Sequence, residues 1–413
     1  CDDPWFRPVD IKLGPDGAMY VADFYNRIIG HYEVPLDHPG RDRERGRIWR
    51  IVYKGADAKN GRLDTLVSTN KNRFDLSKAS VAKLIEEMRS PNIRRRMWAT
   101  DEVVDRVGAP AIKPIAKMMT NKKTDAHQRV QGLWALHRLG AMTDKILTAA
   151  ANDPDRMVRV HAMHVLAEMQ YWNNAHVALA QRGLFDSDGY VQRAATDAVA
   201  RHEMKENVAP LLKLRASESP QDTALVYITR MALRNQLRSD ATFDAVAAGN
   251  LSDVDQRAIA DVCIGLQTKG SGAFLASYIE RANESRDKME VYLKHIARYA
   301  PDEAMDKLAA LAQKKFADDL DFQLALFKSV QEGLQQRGST LRPSLQEWGT
   351  ALAQALMVSV DTKNLDWHNN SIKGGDAANP WILQKRDSGD GNKDSTFISS
   401  LAPGGESLTG ILR

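Results

Sequence analysis

The stretch Asp153–Leu166, which reads DPDRMVRVHAMHVL, predicts the fold of most of this chain. Asp153 can cap the start of a helix, and Pro154 suits the first helical turn. Four apolar residues fall on one face of that helix: Val158, Ala162, Val165 and Leu166. The stretch therefore predicts an amphipathic helix that buries one side and exposes the other.

The same pattern recurs along the chain, in stretches that begin at Ser90, Asp186 and Ser219. The positions that align inside the second helix of each unit lie 33, 30, 33 and 33 residues apart: Ala99, Gly132, Ala162, Ala195 and Ile228. A fixed period in this range is typical of stacked helical pairs, because one pair cannot bury its apolar face without a neighbour. The chain is therefore predicted to be mainly α, with an α-solenoid at its centre.

The spacing Asp/Ser-x-x-x-x-Val-Arg-x-x-Ala-x-x-x-Leu resembles HEAT repeats, most closely at Asp153–Leu166. We expect this HEAT-like α-solenoid over residues 75–360, after a polar, turn-rich linker at 54–74. Past Ile228 the period loosens, and Pro301 and Pro343 each lie where a helix could begin. Such a fold says little about function, since solenoids bind many unrelated ligands.

Residues 1–53 have a different pattern. The runs PVDIKL, AMYVADF and RIWRIVY predict strands, and Gly14–Gly17 predicts a turn between the first two. Three strands do not make an independent domain, so we expect this segment to need further partners.

The stretch from Trp5 to Ile51 is similar to the closing blade of a six-bladed β-propeller in the PVC-type haem-binding (membrane-bound) dehydrogenases. Their propeller resembles that of soluble quinoprotein sugar dehydrogenases. In that family the propeller precedes HEAT-like repeats, often a β-sandwich, and usually a cytochrome c-type domain. The resemblance implies that residues 1–53 are the last propeller blade. It also implies that 361–413, with short β-like runs between Gly-rich turns, begin a β-sandwich or jelly roll.

The resemblance further implies that this chain is an internal fragment of an exported protein, periplasmic or extracellular. The parent protein would oxidise a sugar or related alcohol with a PQQ-like quinone or calcium, and would pass electrons to haem c. No cofactor is expected within this chain, which lacks a Cys-x-x-Cys-His motif. Its partners would be other domains of the same polypeptide, and the fragment alone would not be catalytic.

A second hypothesis is a non-enzymatic propeller and HEAT protein that binds a partner protein or a glycan on its solenoid. Nucleic-acid binding is disfavoured, because 57 basic and 53 acidic residues are interleaved and leave a net charge of only +4. The two cysteines make no disulfide framework, and Cys263 in an apolar run is expected in the core. No apolar run is long enough to span a membrane, and no signal peptide is recognisable.

Asp23 and His31 are the candidate cofactor-binding residues. Asp23 follows a strand and could face a propeller channel, or it could bind the backbone of the next loop. His31 lies in the loop beyond, where nothing in the sequence identifies a partner for it.

Other candidates have a structural alternative that we favour. His161 and His164 could clamp a metal, but no carboxylate follows at a ligand spacing. Residues 94–96, three arginines, could meet an anion but resemble solvated repeat residues. Four aromatic residues could line a groove or fill the space between helices: Trp98, Trp134, Tyr171 and Trp172. Asp390, Asn392 and Asp394 suggest a calcium loop, yet a hairpin turn is the simpler explanation. The sequence assigns no catalytic residue and no metal ligand.

Overall fold

A computed structural model describes residues 2–28, 34–52, 74–121, 123–358, 381–385 and 396–401. Helices dominate this part of the chain, as the repeat pattern predicts. The chain divides into two compact units, Cys1–Ala232 and Leu233–Arg413, and each is described by itself.

The first unit opens with a three-stranded antiparallel sheet in the order β1-β2-β3: β1 is Pro8–Leu13, β2 is Met19–Asp23 and β3 is Arg47–Ile51. All three predicted strands are therefore present. The predicted turn joins β1 to β2, and the Gly14 N–H donates to the Ala18 carbonyl at 2.8 Å. Gly17 has a φ of 82°, which favours glycine because a Cβ is strained there.

Helices follow in pairs, with a π-helical segment at Glu102–Val107 and 3₁₀ turns at Ala109–Ala111 and Lys205–Asn207. Their bounds are α1 Val81–Glu87, α2 Ile93–Asp101, α3 Ile112–Thr120, α4 Ala126–Arg138, α5 Asp144–Ala151, α6 Arg156–Glu168, α7 Asn174–Gly183, α8 Gly189–Arg201, α9 Val208–Ser217 and α10 Thr223–Gln236. The aligned repeat positions lie in α2, α4, α6, α8 and α10. The division between the two units falls within α10.

The predicted apolar face of α6 is its buried face. Val158, Ala162, Val165 and Leu166 are all fully buried, and α6 packs between α4 and α8. At the equivalent point of α4, a Cβ on Gly132 would come within 2.7 Å of the ends of Met118 and Met119. A glycine there lets α3 approach α4 closely.

The cap of α6 differs from the prediction. Asp155, not Asp153, accepts the N–H of Met157 and caps the helix. Asp153 instead accepts the Asp155 N–H at 2.9 Å and pairs with Arg129 of the preceding helical pair. Asp155 directly precedes Arg156, the first residue of the helix, whereas Asp153 lies two residues further back and pairs with the inter-repeat arginine.

A series of such arginines links successive pairs. Arg129 reaches Asp153 at 2.8 Å. Arg159 reaches Asp186 at 2.9 Å. The third pair, at 2.6 Å, is Arg193–Asp222. In each ion pair the arginine lies on the second helix of one helical pair, and the aspartate precedes the second helix of the next helical pair. These three ion pairs form an arginine ladder that fixes the stacking of neighbouring helical pairs.

The sheet is attached to the first helical pair. Asn92, which caps α2, donates to the carbonyls of Gly14 and Pro15, each at 3.1 Å. Arg94 donates to the Leu13 carbonyl at 3.0 Å. These bonds hold the β1–β2 turn against the start of the repeats.

The second unit continues with helices: α11 Asp240–Ala247, α12 Asp253–Cys263, α13 Lys269–Arg281, α14 Arg286–Tyr299, α15 Asp302–Lys315, α16 Leu320–Arg337 and α17 Pro343–Val358. Pro301 directly precedes α15 and Pro343 begins α17, as predicted. Cys263 is fully buried, which confirms its place in the core, and burial raises the pKa of its thiol.

Two further strands pair antiparallel near the end of the chain: β4 is Trp381–Lys385 and β5 is Thr396–Leu401. They coincide with two of the three β-like runs of the tail. The third run lies outside the described residues. The propeller-blade and β-sandwich assignments stay predictions.

Candidate functional sites

Asp23 lies at the end of β2 and is almost fully buried, with 4% of its surface exposed. Its Oδ1 accepts the backbone N–H groups of Arg7 at 2.7 Å and Tyr25 at 2.8 Å. Its Oδ2 accepts the indole N–H of Trp49 at 2.7 Å. Both carboxylate oxygens are therefore engaged in holding together the segments before β1, after β2 and in β3.

The charged form of Asp23 is favoured in this setting. Burial of the carboxyl group raises its pKa. The hydrogen bonds from Trp49, Arg7 and Tyr25 and the nearby charge of Arg47 lower it by more, so the pKa lies below the usual range. A stabilised carboxylate of this kind suits a structural role, and its predicted cofactor role stays a prediction. His31 lies outside the described residues.

Asp23 also lines a cleft of about 870 Å³ beside the sheet. The cleft has apolar walls from Val9, Phe24, Leu36 and Ile48. Three of the four arginines that line it contact groups within the protein. Arg41 donates to the Val34 and Pro35 carbonyls, Arg45 pairs with Asp42, and Arg47 stacks on the Tyr25 ring at 3.4 Å. These contacts engage the three guanidinium groups within the protein.

The three arginines at 94–96 are half-buried and each makes an internal contact. Arg94 binds the Leu13 carbonyl of the sheet. Arg95 lies 3.9 Å from the centre of the Phe74 ring. Arg96 donates to the Ser90 carbonyl at 2.6 Å. The three arginines therefore make structural contacts rather than lying free in solvent. Arg94 holds the sheet, and Arg96 holds the loop before α2.

His161 and His164 share a face of α6, with ring centres 5.8 Å apart. The indole N–H of Trp134 donates to Nδ1 of His161 at 3.0 Å, so a neutral His161 carries its proton on Nε2. Burial, and then the charge of His164, lower the pKa of His161 to about 4. Burial also lowers the pKa of His164. Within the described residues, no group of three or more His, Cys, Asp or Glu side chains could hold a metal ion.

The four aromatic residues proposed for a groove do not form one surface. The Trp98 indole donates to Glu102, and Trp134 contacts His161. The Trp172 indole donates to the Leu166 carbonyl, while its ring stacks on His202 at 3.9 Å. Tyr171 is 78% exposed. The tryptophans mainly fill spaces between helices, which was the favoured alternative.

One polar pair escaped the sequence analysis. Ser271 on α13 and His295 on α14 are both buried, with Oγ and Nε2 at 3.0 Å. The serine Oγ also lies 2.8 Å from the Thr268 carbonyl and 3.2 Å from the Leu266 carbonyl, so the hydroxyl has acceptors on its own helix turn. Burial, followed by the charge of Arg298, lowers the pKa of His295 to about 4. The pair links α13 to α14. The 24-residue separation carries no sequence signal.

One face of the sheet is apolar and exposed. Directly paired residues point to the same side, which gives two rows, Ile11–Val21–Trp49 and Leu13–Met19–Ile51. Five of these six side chains are more than a third exposed, and Val21 alone is buried. A continuous apolar face of this kind marks an interaction surface.

The second unit contains a cleft of about 420 Å³ between α11 and α13. Phe243 and Phe274 form part of its wall, and Asp244, Asn250 and Arg281 lie at its rim. The sequence analysis missed it, although the Gly249–Asn250 pair that ends α11 early was a usable signal. No helix in the described ranges has the length and apolar character needed to cross a membrane.

Comparison with protein families matches residues 1–55 to a model described as "Domain of unknown function (DUF7133)". The match spans the three-stranded sheet and stops before the helices. A search of curated proteins finds no match.

Among solved structures, an engineered protein from the Northeast Structural Genomics Consortium is 17% identical, with a TM-score of 0.33. The match covers 63% of this chain and 79% of that one. A designed armadillo repeat protein is 15% identical with a TM-score of 0.24, covering 67% of this chain and all of its own. These scores are low, so the assignment of a helical-repeat protein rests on the packing of the chain's own helix pairs.

Proposed function

We propose that this chain is part of an exported multidomain, dehydrogenase-like protein, in which the sheet belongs to a β-propeller and the helical repeats separate the domains. The observation that carries the proposal is the exposed apolar face of the sheet. Three strands with such a face are marginal alone, whereas propeller blades have four strands and pack face to face. Neighbouring blades would cover the five exposed side chains of that face.

The hydrogen bonds from Asn92 and Arg94 to the β1–β2 turn support the scaffold role. They join the β1–β2 turn directly to the start of α2. A repeat stack held in this way could keep a propeller at a set distance from a later domain.

The chemistry of the parent protein follows from the family resemblance alone. Its propeller would bind a PQQ-like quinone or calcium and oxidise a sugar or related alcohol, and the electrons would pass to haem c in another domain. Such a protein would work in the periplasm or outside the cell. The described residues of this chain would supply structure rather than catalysis.

The test is to sequence the reading frame on both sides of this chain, express the complete protein and record its optical spectrum. We expect further propeller blades upstream, a Cys-x-x-Cys-His motif downstream, and a haem band that is reduced after a sugar is added. A complete protein with neither a haem motif nor a redox response would contradict the proposal. The non-enzymatic alternative, a protein that binds a partner or a glycan, would then be preferred.

A further inference from the structure

The cleft between α11 and α13 arises because the two helices differ in length. α11 has 8 residues and α13 has 13, which correspond to about 12 Å and about 20 Å of helix. After α11 the chain turns at Gly249 while α13 continues. The middle of α13 is therefore uncovered, and Ala273 and Ser277 are exposed along the cleft.

The two ends of the cleft carry opposite charges. Asp244 lies beside Gly270 at the start of α13 and is exposed. Arg281, the last residue of α13, is also exposed, and its guanidinium lies 3.3 Å from the side-chain oxygen of Gln256. Gly270 and Arg281 are eleven residues apart, which is about 16 Å along the helix axis.

Polar groups that can pair with a peptide backbone also line the cleft. Asn250 is exposed and offers both a donor and an acceptor, and Ser277 adds a hydroxyl. An extended peptide rises about 3.4 Å per residue, so about five residues cover the distance. Its backbone needs partners once it leaves water, and its charged side chains find complementary charges at the two ends.

We propose that this cleft binds an extended peptide segment of a partner protein, with a basic side chain at Asp244 and an acidic side chain at Arg281. The proposal is independent of any dehydrogenase activity, since every residue it uses lies in the second unit. Charge complementarity along the cleft selects the peptide and its direction.

The experiment uses the whole chain and four fluorescent, end-blocked pentapeptides: Lys-Ala-Ala-Ala-Glu, Glu-Ala-Ala-Ala-Lys, and the two with lysine or glutamate at both ends. Binding is measured by fluorescence anisotropy at low salt. We expect one of the two mixed-charge peptides to bind roughly fivefold more tightly than the other three, as two exposed ion pairs would give. Equal binding of all four peptides would overturn the proposal.

Exchange of the two charges provides the decisive control. The double variant Asp244→Lys/Arg281→Glu keeps the net charge, and we expect it to prefer the mixed-charge peptide of the opposite order. The matched exchange Glu303→Lys/Lys307→Glu, at exposed positions of α15, should keep the peptide preference of the wild type. An unchanged preference in the first variant would exclude the cleft as the binding site.

A second pair of variants tests whether the peptide occupies the open volume of the cleft. Ala273→Trp would fill the cleft and should reduce binding at least tenfold, whereas Ala273→Ser should bind as the wild type does. Ala273 is exposed, so neither change disturbs the core, and a thermal melt confirms that both variants fold. Unchanged binding by Ala273→Trp would also overturn the proposal.

Discussion

Asp23 ties the sheet together through one carboxyl group. Because it accepts hydrogen bonds from Arg7, Tyr25 and Trp49, Asp23→Ala leaves three donors without their partner. We expect the stability order wild type, then Asp23→Asn, then Asp23→Ala, measured by urea unfolding with tryptophan fluorescence. Two variants as stable as the wild type would show that the carboxylate is not needed for folding, and would favour the cofactor prediction.

The stability that Asp23 contributes depends on pH. Its pKa is lowered in the folded state, so its contribution is present above the unfolded pKa of about 3.9. It is lost as the pH falls through the folded pKa. The difference between the wild type and Asp23→Asn should therefore shrink below about pH 4.

His161 makes the folding stability depend on pH in a higher pH range than Asp23 does. Its pKa of about 4 lies below the unfolded value of about 6.5. The stability contributed by the neutral ring is therefore complete above pH 6.5 and is lost as the pH falls from about 6.5 towards 4. The loss should be about 1–2 kcal/mol, reduced by the partial exposure of the ring.

The variant Trp134→Phe tests what lowers the pKa of His161. It removes the N–H that donates to Nδ1 of His161, so the neutral ring loses a partner and its pKa should rise. The measurement is an NMR titration of the histidine ring protons. Trp98→Phe is the control, because its indole donates to Glu102. A His161 pKa that is unchanged in Trp134→Phe would show that burial and the charge of His164 set it without the indole hydrogen bond.

At the scale of helices, the arginine ladder should contribute more than exposed ion pairs do. Arg159 forms a two-bond pair with Asp186, and both side chains are less than a fifth exposed. Arg159 also donates to the Asp153 carbonyl. Arg159→Ala should therefore cost about 2–3 kcal/mol of unfolding free energy. Arg159→Lys should recover only part of it, since lysine cannot form the two-bond pair.

The control for the ladder is Arg138, which pairs with Asp101 and Asp105 across neighbouring helices. These side chains are 36% to 69% exposed, so Arg138→Ala should cost less than about 1 kcal/mol. Chemical denaturation of the variants under one set of conditions measures both costs. Equal costs for Arg138→Ala and Arg159→Ala would mean that the ladder does not fix the stacking of the repeats.

The helical elements were predictable because each depends on a local pattern. The 33-residue steps located the second helices, and the alternation of β2 located a strand. Contacts between residues that are distant in sequence were not predictable. The ion pair of Asp153 is made with Arg129 on another helix, and the bond from Trp49 to Asp23 joins residues 26 apart in sequence. The cleft beside α13 depends on where α11 ends, which a repeat period does not specify.

At the scale of the whole protein, the exposed sheet face distinguishes the propeller proposal from a sheet that functions alone. We expect Ile11→Ser/Ile51→Ser to leave the stability of this chain within about 0.5 kcal/mol, because both side chains are about half exposed. Binding of anilinonaphthalene sulfonate should fall, since the apolar face is smaller. In the complete protein the same change should destabilise the propeller, because neighbouring blades would bury both positions.

The matched control is Val254→Ser/Ile264→Ser, at positions 57% and 40% exposed on and beside α12. It removes a similar apolar area from a surface that the propeller proposal leaves in solvent. It should therefore leave the stability of both this chain and the complete protein unchanged. Thermal melts of the chain and of the complete protein provide the comparison. If the complete protein tolerates Ile11→Ser/Ile51→Ser as well as it tolerates the control, no blade covers that face. The sheet would then have to be explained by a partner outside the polypeptide.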